Sequence, residues 1–449
     1  MQALLIKNAT IVSDNRTLHG HILCRNGLIE KISLEDVPAF AEDETPRIID
    51  AGRNLVIPGI IDDQVHFREP GLTHKADIST ESAAAVAGGI TSYMEMPNTN
   101  PPTTTSALLD EKIQIASRSS YANFSFYIGA TNDNISQLKE ADPATVCGVK
   151  VFMGSSTGNM LVDDEATLRA IFAGVKIPVA VHCEDEKTIQ ANILAHKRKY
   201  GENLPMIMHP AIRSEEACWL SSSHAVELAR EYGTRLHVLH ISTARELKLF
   251  ESLTSSERKR ITSEACVHHL WFDQSDYARL GTRIKWNPAI KRRADREALV
   301  KAVDEGVIDV VATDHAPHTL DEKSESYFRA PSGAPMVQHA LPAMLELVKQ
   351  GKLTVEKMVS RMCHAPATIF NIDRRGFIRE GYFADMAIVD MDSQWTVGKK
   401  NIIYKCGWSP MDGVTFSTRL THTIVNGNVV FENGSIDRQA KGRQITFNR

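Results

Sequence analysis

The sequence predicts an α/β protein, a (β/α)8 barrel flanked by a small β-sandwich drawn from both chain ends. Short apolar runs recur in a strand–helix rhythm between about residues 55 and 320. Five of them, VIPGIIDDQVHF (56–67), GVKVFM (148–153), IPVAVHC (177–183), RLHVLHIS (235–242) and VIDVVATDH (307–315), carry His66, Lys150, His182, His240 and Asp314 at or just past their ends. Residues far apart in sequence meet at the mouth of a parallel barrel only if each sits at the same end of its own strand. The two chain termini fall outside this rhythm.

In chain order, residues 1–54 read as short strands. ALLIKNATIVS, HGHILCRNGLIEKIS and RIIDAGRNLVIPG are punctuated by Asn26-Gly27 and Gly52, which suits a small antiparallel sheet. Three more runs, GITSYMEM (89–96), ANFSFYIGAT (122–131) and RITSEACVHHLWF (260–272), bring the barrel strands to eight. Helix-compatible segments lie between most of them, at 79–88, 107–118, 163–174, 213–232 and 294–305. Gly154-Ser155-Ser156-Thr157-Gly158 lacks the Gly-Lys-Ser/Thr ending of a phosphate loop and reads as the loop after the fourth strand. LTVEKMVSRMCHAPATIFNI (353–372) reads as helix, with Pro366 opening a second one. The tail returns to strands, GYFADMAIVDMD (381–392) and THTIVNGNVVFENGSI (421–436), with Asn426-Gly427 and Asn433-Gly434 as turns. The expected division is a sandwich of residues 1–54 plus 375–449 around a barrel of 55–374.

Composition excludes several classes. The net charge of −4 gives no electrostatic case for nucleic acid or anionic membrane. No apolar run approaches the ~20 residues that span a bilayer, and the first residues lack a basic n-region and cleavage site. Seven cysteines are scattered without a CxxC pair, as expected of reduced thiols in a cytoplasmic protein.

A lone histidine at a strand end is more often a packing residue than a ligand. His66, His182 and His240 together, with Asp314 in Thr313-Asp314-His315-Ala316-Pro317-His318, make a metal centre the stronger reading. Lys150 binds no metal as an ammonium, but burial and a nearby ion favour the neutral amine, which reacts with CO2 to give an anionic carbamate. Taken alone, an ion-paired or Schiff-base lysine is the stronger reading. Arg68 shares the face of His66 and suits a substrate carboxylate, and Asn98 ends the second strand. Asp63, next to Gln64, is expected on the opposite face. Glu264 reads either as a further ligand or as an ion-pair partner, and His196, His209, His224 and His237 as surface or packing residues.

IPGIIDDQVHFREPG, MEMPNTNP, GVKVFMGS, VAVHCEDE, LHVLHIST and VATDHAPH, in that order, resemble the class I dihydroorotases of the amidohydrolase superfamily. The likeness resumes at HAPATIFNI and RGFIREGYFADMAIVD. It implies a TIM-like barrel, one or two zinc ions, and the reversible interconversion of (S)-dihydroorotate and N-carbamoyl-L-aspartate in pyrimidine synthesis. On this likeness His66, Lys150 (N6-carboxylated in many members), His182, His240 and Asp314 hold metal, and Asp314 also carries the proton. Arg68, Asn98, Asn287 and His318 hold substrate, with backbone contacts near Ala334. A homodimer is implied, and association with aspartate transcarbamoylase is a further expectation. The alternatives are allantoinase, dihydropyrimidinase or hydantoinase activity, against which Arg68 argues, and a non-catalytic scaffold. One departure is plain: Gln64 stands where the family has the first His of His-x-His.

Overall fold

The computed structural model describes residues 3–40, 45–154, 160–250 and 259–449. Residues 155–158, in the expected loop after the fourth barrel strand, lie outside them. Eight strands form one parallel sheet in sequential order. They are β1 (Ile60–Val65), β2 (Ile90–Glu95), β3 (Asn123–Gly129), β4 (Gly148–Phe152), β5 (Val179–His182), β6 (Leu236–Val238), β7 (Ile261–Cys266) and β8 (Val310–Ala312). The sheet closes on itself just past β1 and β8, where Val65 bridges His315 and the His66 N–H donates to the His315 carbonyl at 2.7 Å. This is the (β/α)8 barrel expected from the sequence.

Five of the helices outside it start on side-chain caps. Asp77, Thr105, Asp164, Asp185 and Ser214 each accept from a backbone N–H of the helix that follows. Gly233 and Gly306, both left-handed, end the helices Glu215–Tyr232 and Arg293–Glu305 and turn the chain into β6 and β8.

Both chain ends meet in one nine-stranded sheet. Its path runs Ser435–Ile436, Asn428–Glu432, Arg419–Val425, Met386–Asp390, Leu55–Pro58, Leu4–Ser13, Arg16–Arg25, Leu28–Ser33, with Arg47–Asp50 also on Leu4–Ser13. The Asn-Gly pairs act as expected. Asn26, Asn426 and Asn433 and the glycine after each have positive φ, as two-residue hairpins of matching twist require. The sheet buries a core of its own, including Leu4, Ile6, Ile22, Val56, Met386 and Ile424. A separate cluster fills the barrel, where Ile61, Met94, Tyr127 and Leu239 pack against Phe370 and, from the C-terminal tail, Ile445 and Phe447. The tail is held there by the Ile445 N–H on the Phe124 carbonyl (2.8 Å) and the Phe447 N–H on that of Ala144 (2.9 Å).

Two strand readings need correction. Residues 56–67 are not one strand. Leu55–Pro58 lies between Leu4–Ser13 and Met386–Asp390 in the outer sheet, and the barrel strand starts only at Ile60. An apolar run buried in two successive sheets has no pattern that marks the crossing. Residues 260–272 likewise split, because β7 stops at Cys266 and Val267–Trp271 is helical, carrying His268 and His269 out of the strand.

The crossing point is Gly59, where a Cβ would fall 2.0 Å from Thr91 Oγ1 and 2.6 Å from Thr91 Cβ. Rotating the threonine does not relieve the second contact. Gly59→Ala is therefore expected to cost about 1–3 kcal/mol, read as a lower urea midpoint with the far-ultraviolet spectrum of the folded state retained.

Candidate active site and metal centre

The carboxyl ends of the barrel strands open into a cavity of about 440 Å³, in the range of small-molecule sites. It brings together His66, Arg68, Asn98, Lys150, His182, His240, Asn287, Asp314 and His318, all nine read from the sequence as candidates. Ala334 is not among the lining residues. Its carbonyl accepts from the Ala316 N–H at 3.0 Å, and its neighbours Ser332 and Gly333 form the wall instead.

The metal-ligand candidates form two close pairs. His182 Nδ1 lies 3.1 Å from His240 Nε2, and His66 Nε2 lies 3.2 Å from Asp314 Oδ1. Two donors sharing a tetrahedral ion at ~2.0–2.1 Å sit roughly 3.3 Å apart, so both pairs fit one. Hydrogen bonds on the far side of the rings set the required tautomers. Glu184 Oε2 accepts from His182 Nε2 at 2.9 Å, leaving the Nδ1 lone pair free. Asn98 Oδ1 accepts from His66 Nδ1 at 2.7 Å, leaving the Nε2 lone pair free. Burial lowers the pKa of all three histidines, most strongly for His240, where the His182 and Lys150 charges add to it. The neutral ring is the ligand form.

Lys150 is 1% exposed, its Nζ 4.7 Å from the Phe152 ring centroid. Burial brings it down to about 8, against the opposing charges of Asp314 and Glu264. The neutral amine that a carbamate requires is thus accessible near neutral pH. Gln64 faces the same space, with Nε2 donating to Asp314 Oδ1 at 3.2 Å. An amide contact here takes up an oxygen that an imidazole in that place would leave to an ion. The residues therefore fit an ion at His182 and His240 better than one at His66 and Asp314.

The opposite side of the cavity is cationic. Arg68 is 6% exposed, and its Nε donates to the Pro317 carbonyl at 3.1 Å. Burial lowers its pKa to about 10, so it stays charged at neutral pH. Lys75, missed in the sequence, donates to His318 Nδ1 at 3.0 Å, and His318 Nε2 then donates to the Ser332 carbonyl at 2.9 Å. Nothing periodic marks Lys75. The only signal is its place on the loop that carries Arg68. Two more lysines hold the facing wall from behind. Lys323 Nζ reaches the carbonyls of Pro331 and Gly333 at 2.8 Å each, and Lys285 Nζ that of Ala330 at 2.6 Å.

Three of these residues have left-handed backbone without being glycine: Arg68 (φ +71), His240 (φ +41) and Asp314 (φ +45). Such positions cost ~1–3 kcal/mol each and persist only where neighbours hold them. At Arg68 the preceding Phe67 N–H donates to Glu95 Oε1 at 2.8 Å, and Glu95 is paired to Lys112 at 3.0 Å with neither side chain exposed. At His240 the backbone N–H donates to Glu264 Oε1 at 3.0 Å.

Residues 55–430 match the amidohydrolase family. The dihydroorotase of Methanosphaera stadtmanae is 32% identical over 437 residues, 97% of this chain and 98% of that protein. The dihydroorotase of Pyrococcus furiosus is 33% identical over 435 residues, covering 96% and 94%. Among solved structures, the L-hydantoinase (dihydropyrimidinase) from Arthrobacter aurescens superposes with a TM-score of 0.93 at 29% identity, over 99% of this chain and 100% of that one. The dihydropyrimidinase from Brevibacillus agri shares the fold, with a TM-score of 0.88 at 20% identity over 100% of both chains.

The Glu95–Lys112 pair gives a stability test. Lys112→Met leaves a buried carboxylate without its cation and is expected to cost ~3–5 kcal/mol. Adding Glu95→Gln removes the uncompensated charge and restores much of that loss. Urea unfolding of the two variants beside the parent reads both effects.

Proposed function

The chain belongs to the amidohydrolase family, and from that premise we propose that it opens and closes a carboxylate-bearing cyclic amide, interconverting (S)-dihydroorotate and N-carbamoyl-L-aspartate in pyrimidine synthesis. The observation that carries this reading is the division of the cavity. One side holds the ligand set of Lys150, His182, His240 and Asp314, and the other holds Arg68, Asn98 and His318 backed by Lys75. A six-membered ring with a carboxylate on one side and a scissile amide on the other spans such a cavity. The curated relatives named dihydroorotase support the same choice.

A divalent ion, zinc on this reading, supplies water activation and polarisation of the amide carbonyl when bound. His182 and His240, with Lys150 as its carbamate, would hold it, and His66 would share a second ion with Asp314. The rest is the work of the chain. Asp314, beside His66, accepts the proton released as water adds and passes it to the departing ring nitrogen. Arg68 and the Asn98 amide grip the carboxylate, and His318 closes the same end. This fixes the ring so that its amide carbonyl meets the ligand set. Trp286 and Phe152 line the cavity and exclude bulk water from the reacting amide.

The second reading is a hydantoinase or dihydropyrimidinase, favoured by the superposition on the Arthrobacter aurescens enzyme. Purified enzyme offered dihydroorotate, dihydrouracil and hydantoin separates the two. Preference for dihydroorotate in kcat/KM supports the proposal, and preference for an uncharged ring sinks it. No turnover of any ring after loading with zinc and bicarbonate leaves the non-catalytic scaffold.

Two variants test the roles. Arg68→Met is expected to lower kcat/KM for dihydroorotate about 10²-fold or more, the loss of a charge-assisted, bidentate contact of ~3 kcal/mol. The loss should fall mainly on KM. Asp314→Asn is expected to lower kcat by ~10²–10⁴-fold while the His182–His240 ion stays bound. Near-parental turnover in that variant would remove Asp314 from the proton path.

A further inference from the structure

Beneath the cavity, inside the barrel, three side chains meet that the reaction above does not use. Asp63 of β1, His237 of β6 and Glu264 of β7 are 0%, 1% and 0% exposed. Asp63 reaches this place because the β1–β2 register shifts between Asp62 and Val65, turning Asp63 inward beside its inward-facing neighbour Gln64. The alternation expected from the sequence would have turned it away. His237, read there as a surface or packing residue, faces the same point.

The geometry is not that of a hydrogen-bonded cluster. His237 Nε2 lies 3.1 Å from Asp63 Oδ2 and 3.8 Å from Glu264 Oε2. Yet neither Asp63 oxygen, nor Glu264 Oε2, nor His237 Nε2 has a hydrogen-bond partner among the described residues. The oxygens are near the ring nitrogen but off its N–H direction, where a hydrogen bond requires them to lie along it. Ligands of a shared ion lie off that direction as a rule, because the ion takes the position along the lone pair and its other ligands are splayed around it.

The tautomer points the same way. The Thr262 hydroxyl donates to the Leu236 carbonyl at 3.1 Å, so it accepts from His237 Nδ1 at 2.8 Å. Nδ1 therefore carries the proton, and in the neutral ring the Nε2 lone pair faces two carboxylates. Two buried acid groups facing that lone pair call for a cation at Nε2, either a metal ion or the second ring proton toward which the carboxylates pull His237, raising its pKa to about 9 against its burial. The three donor atoms lie within 4.8 Å of one another, a span one ion can bridge.

We propose that Asp63, His237 and Glu264 bind a divalent transition-metal ion inside the barrel, at a site separate from the ligands that line the cavity. One imidazole and two carboxylates suit zinc, manganese or ferrous iron. A three-residue set leaves a further position for water, which completes the coordination. The ion has a mechanical consequence. The second oxygen of Glu264 holds the His240 backbone N–H, so an ion on the first steadies the left-handed turn that presents His240 to the cavity. Its competitor for the His237 lone pair is a proton, which would make the cluster a plain buried ion triad.

The test is anomalous diffraction from crystals of the full chain grown with zinc chloride, collected on both sides of the zinc edge. The expected map has a peak between Asp63, His237 and Glu264, distinct from any at His182 and His240. A map with no peak there at saturating zinc overturns the proposal and leaves the proton-bound triad. A parallel measurement counts zinc by mass spectrometry. A variant carrying both His182→Ala and His240→Ala is expected to retain zinc, and adding His237→Gln is expected to remove it. Zinc retention unchanged by His237→Gln also overturns the assignment. The map on the unaltered chain decides the matter should that variant fail to fold.

Discussion

The candidate site depends on the closure of the barrel between its first and last strands. The His66 N–H bond to the His315 carbonyl and the bridge from Val65 join segments that the rest of the barrel separates. That one seam sets Gln64 and His66 against Asp314, and Arg68 against Pro317 and His318. Without closure the His182–His240 pair would survive, because β5 and β6 are adjacent in their own right. The approach of His66 to Asp314, and of Arg68 to Pro317 and His318, would not. The closing strands also carry left-handed turns at Arg68 and Asp314, so the seam holds two of the three left-handed non-glycine residues of the cavity.

Charge inside the barrel follows from the same architecture. Parallel strands packed on both faces leave little room for unpaired polar groups, yet β1 and β7 bring Asp63 and Glu264 together inside the barrel, β1 also buries Asp62, and β2 buries Glu95 against Lys112 of the helix Ser106–Ser119. Asp62 is satisfied by the Thr313 hydroxyl at 2.6 Å and two backbone N–H groups, and Glu95 by Lys112 and Phe67. These two act as struts for the turns on either side of the seam. Among the described residues, Asp63 and Glu264 have no lysine or arginine beside the oxygens that face His237, only its ring nitrogen at 3.1 and 3.8 Å, and on the proposal above a metal ion supplies the missing positive charge.

Much of this was legible in the sequence because a barrel writes its active end in a simple code, an apolar run followed by a polar residue of reactive type. His182, His240 and Asp314 are found that way, and so are Lys150 and Arg68. Other features have no local signature. The break at Gly59 is hidden because Leu55–Pro58 and β1 are both buried runs in different sheets. The inward turn of Asp63 depends on a register shift, which alternation alone does not reveal. Lys75 belongs to a loop and acts through His318, a residue more than two hundred positions away. Ala334 was inferred from a likeness that fades in its neighbourhood, and the wall there is built by Ser332 and Gly333. His268 and His269 lie in a segment with the composition of a strand that finishes as a helix.

Arg68 also limits what the cavity can take. Its guanidinium is almost wholly buried and remains charged at neutral pH. Among the described residues it has no carboxylate at ion-pair distance; the Pro317 carbonyl accepts from its Nε, and its Nη2 lies 3.1 Å from a His318 Nε2 whose proton is already given to Ser332. A desolvated cation in that position is costly until an anion meets it. On the proposed reading the substrate carboxylate is that anion, and its arrival relieves a cost already present in a buried guanidinium that lacks a counter-charge. An uncharged ring such as hydantoin or dihydrouracil would leave Arg68 buried and unmatched and would displace water from it without replacement. On that reading, selection among cyclic amides rests less on His182, His240 and Asp314 than on the buried charge of Arg68 opposite them.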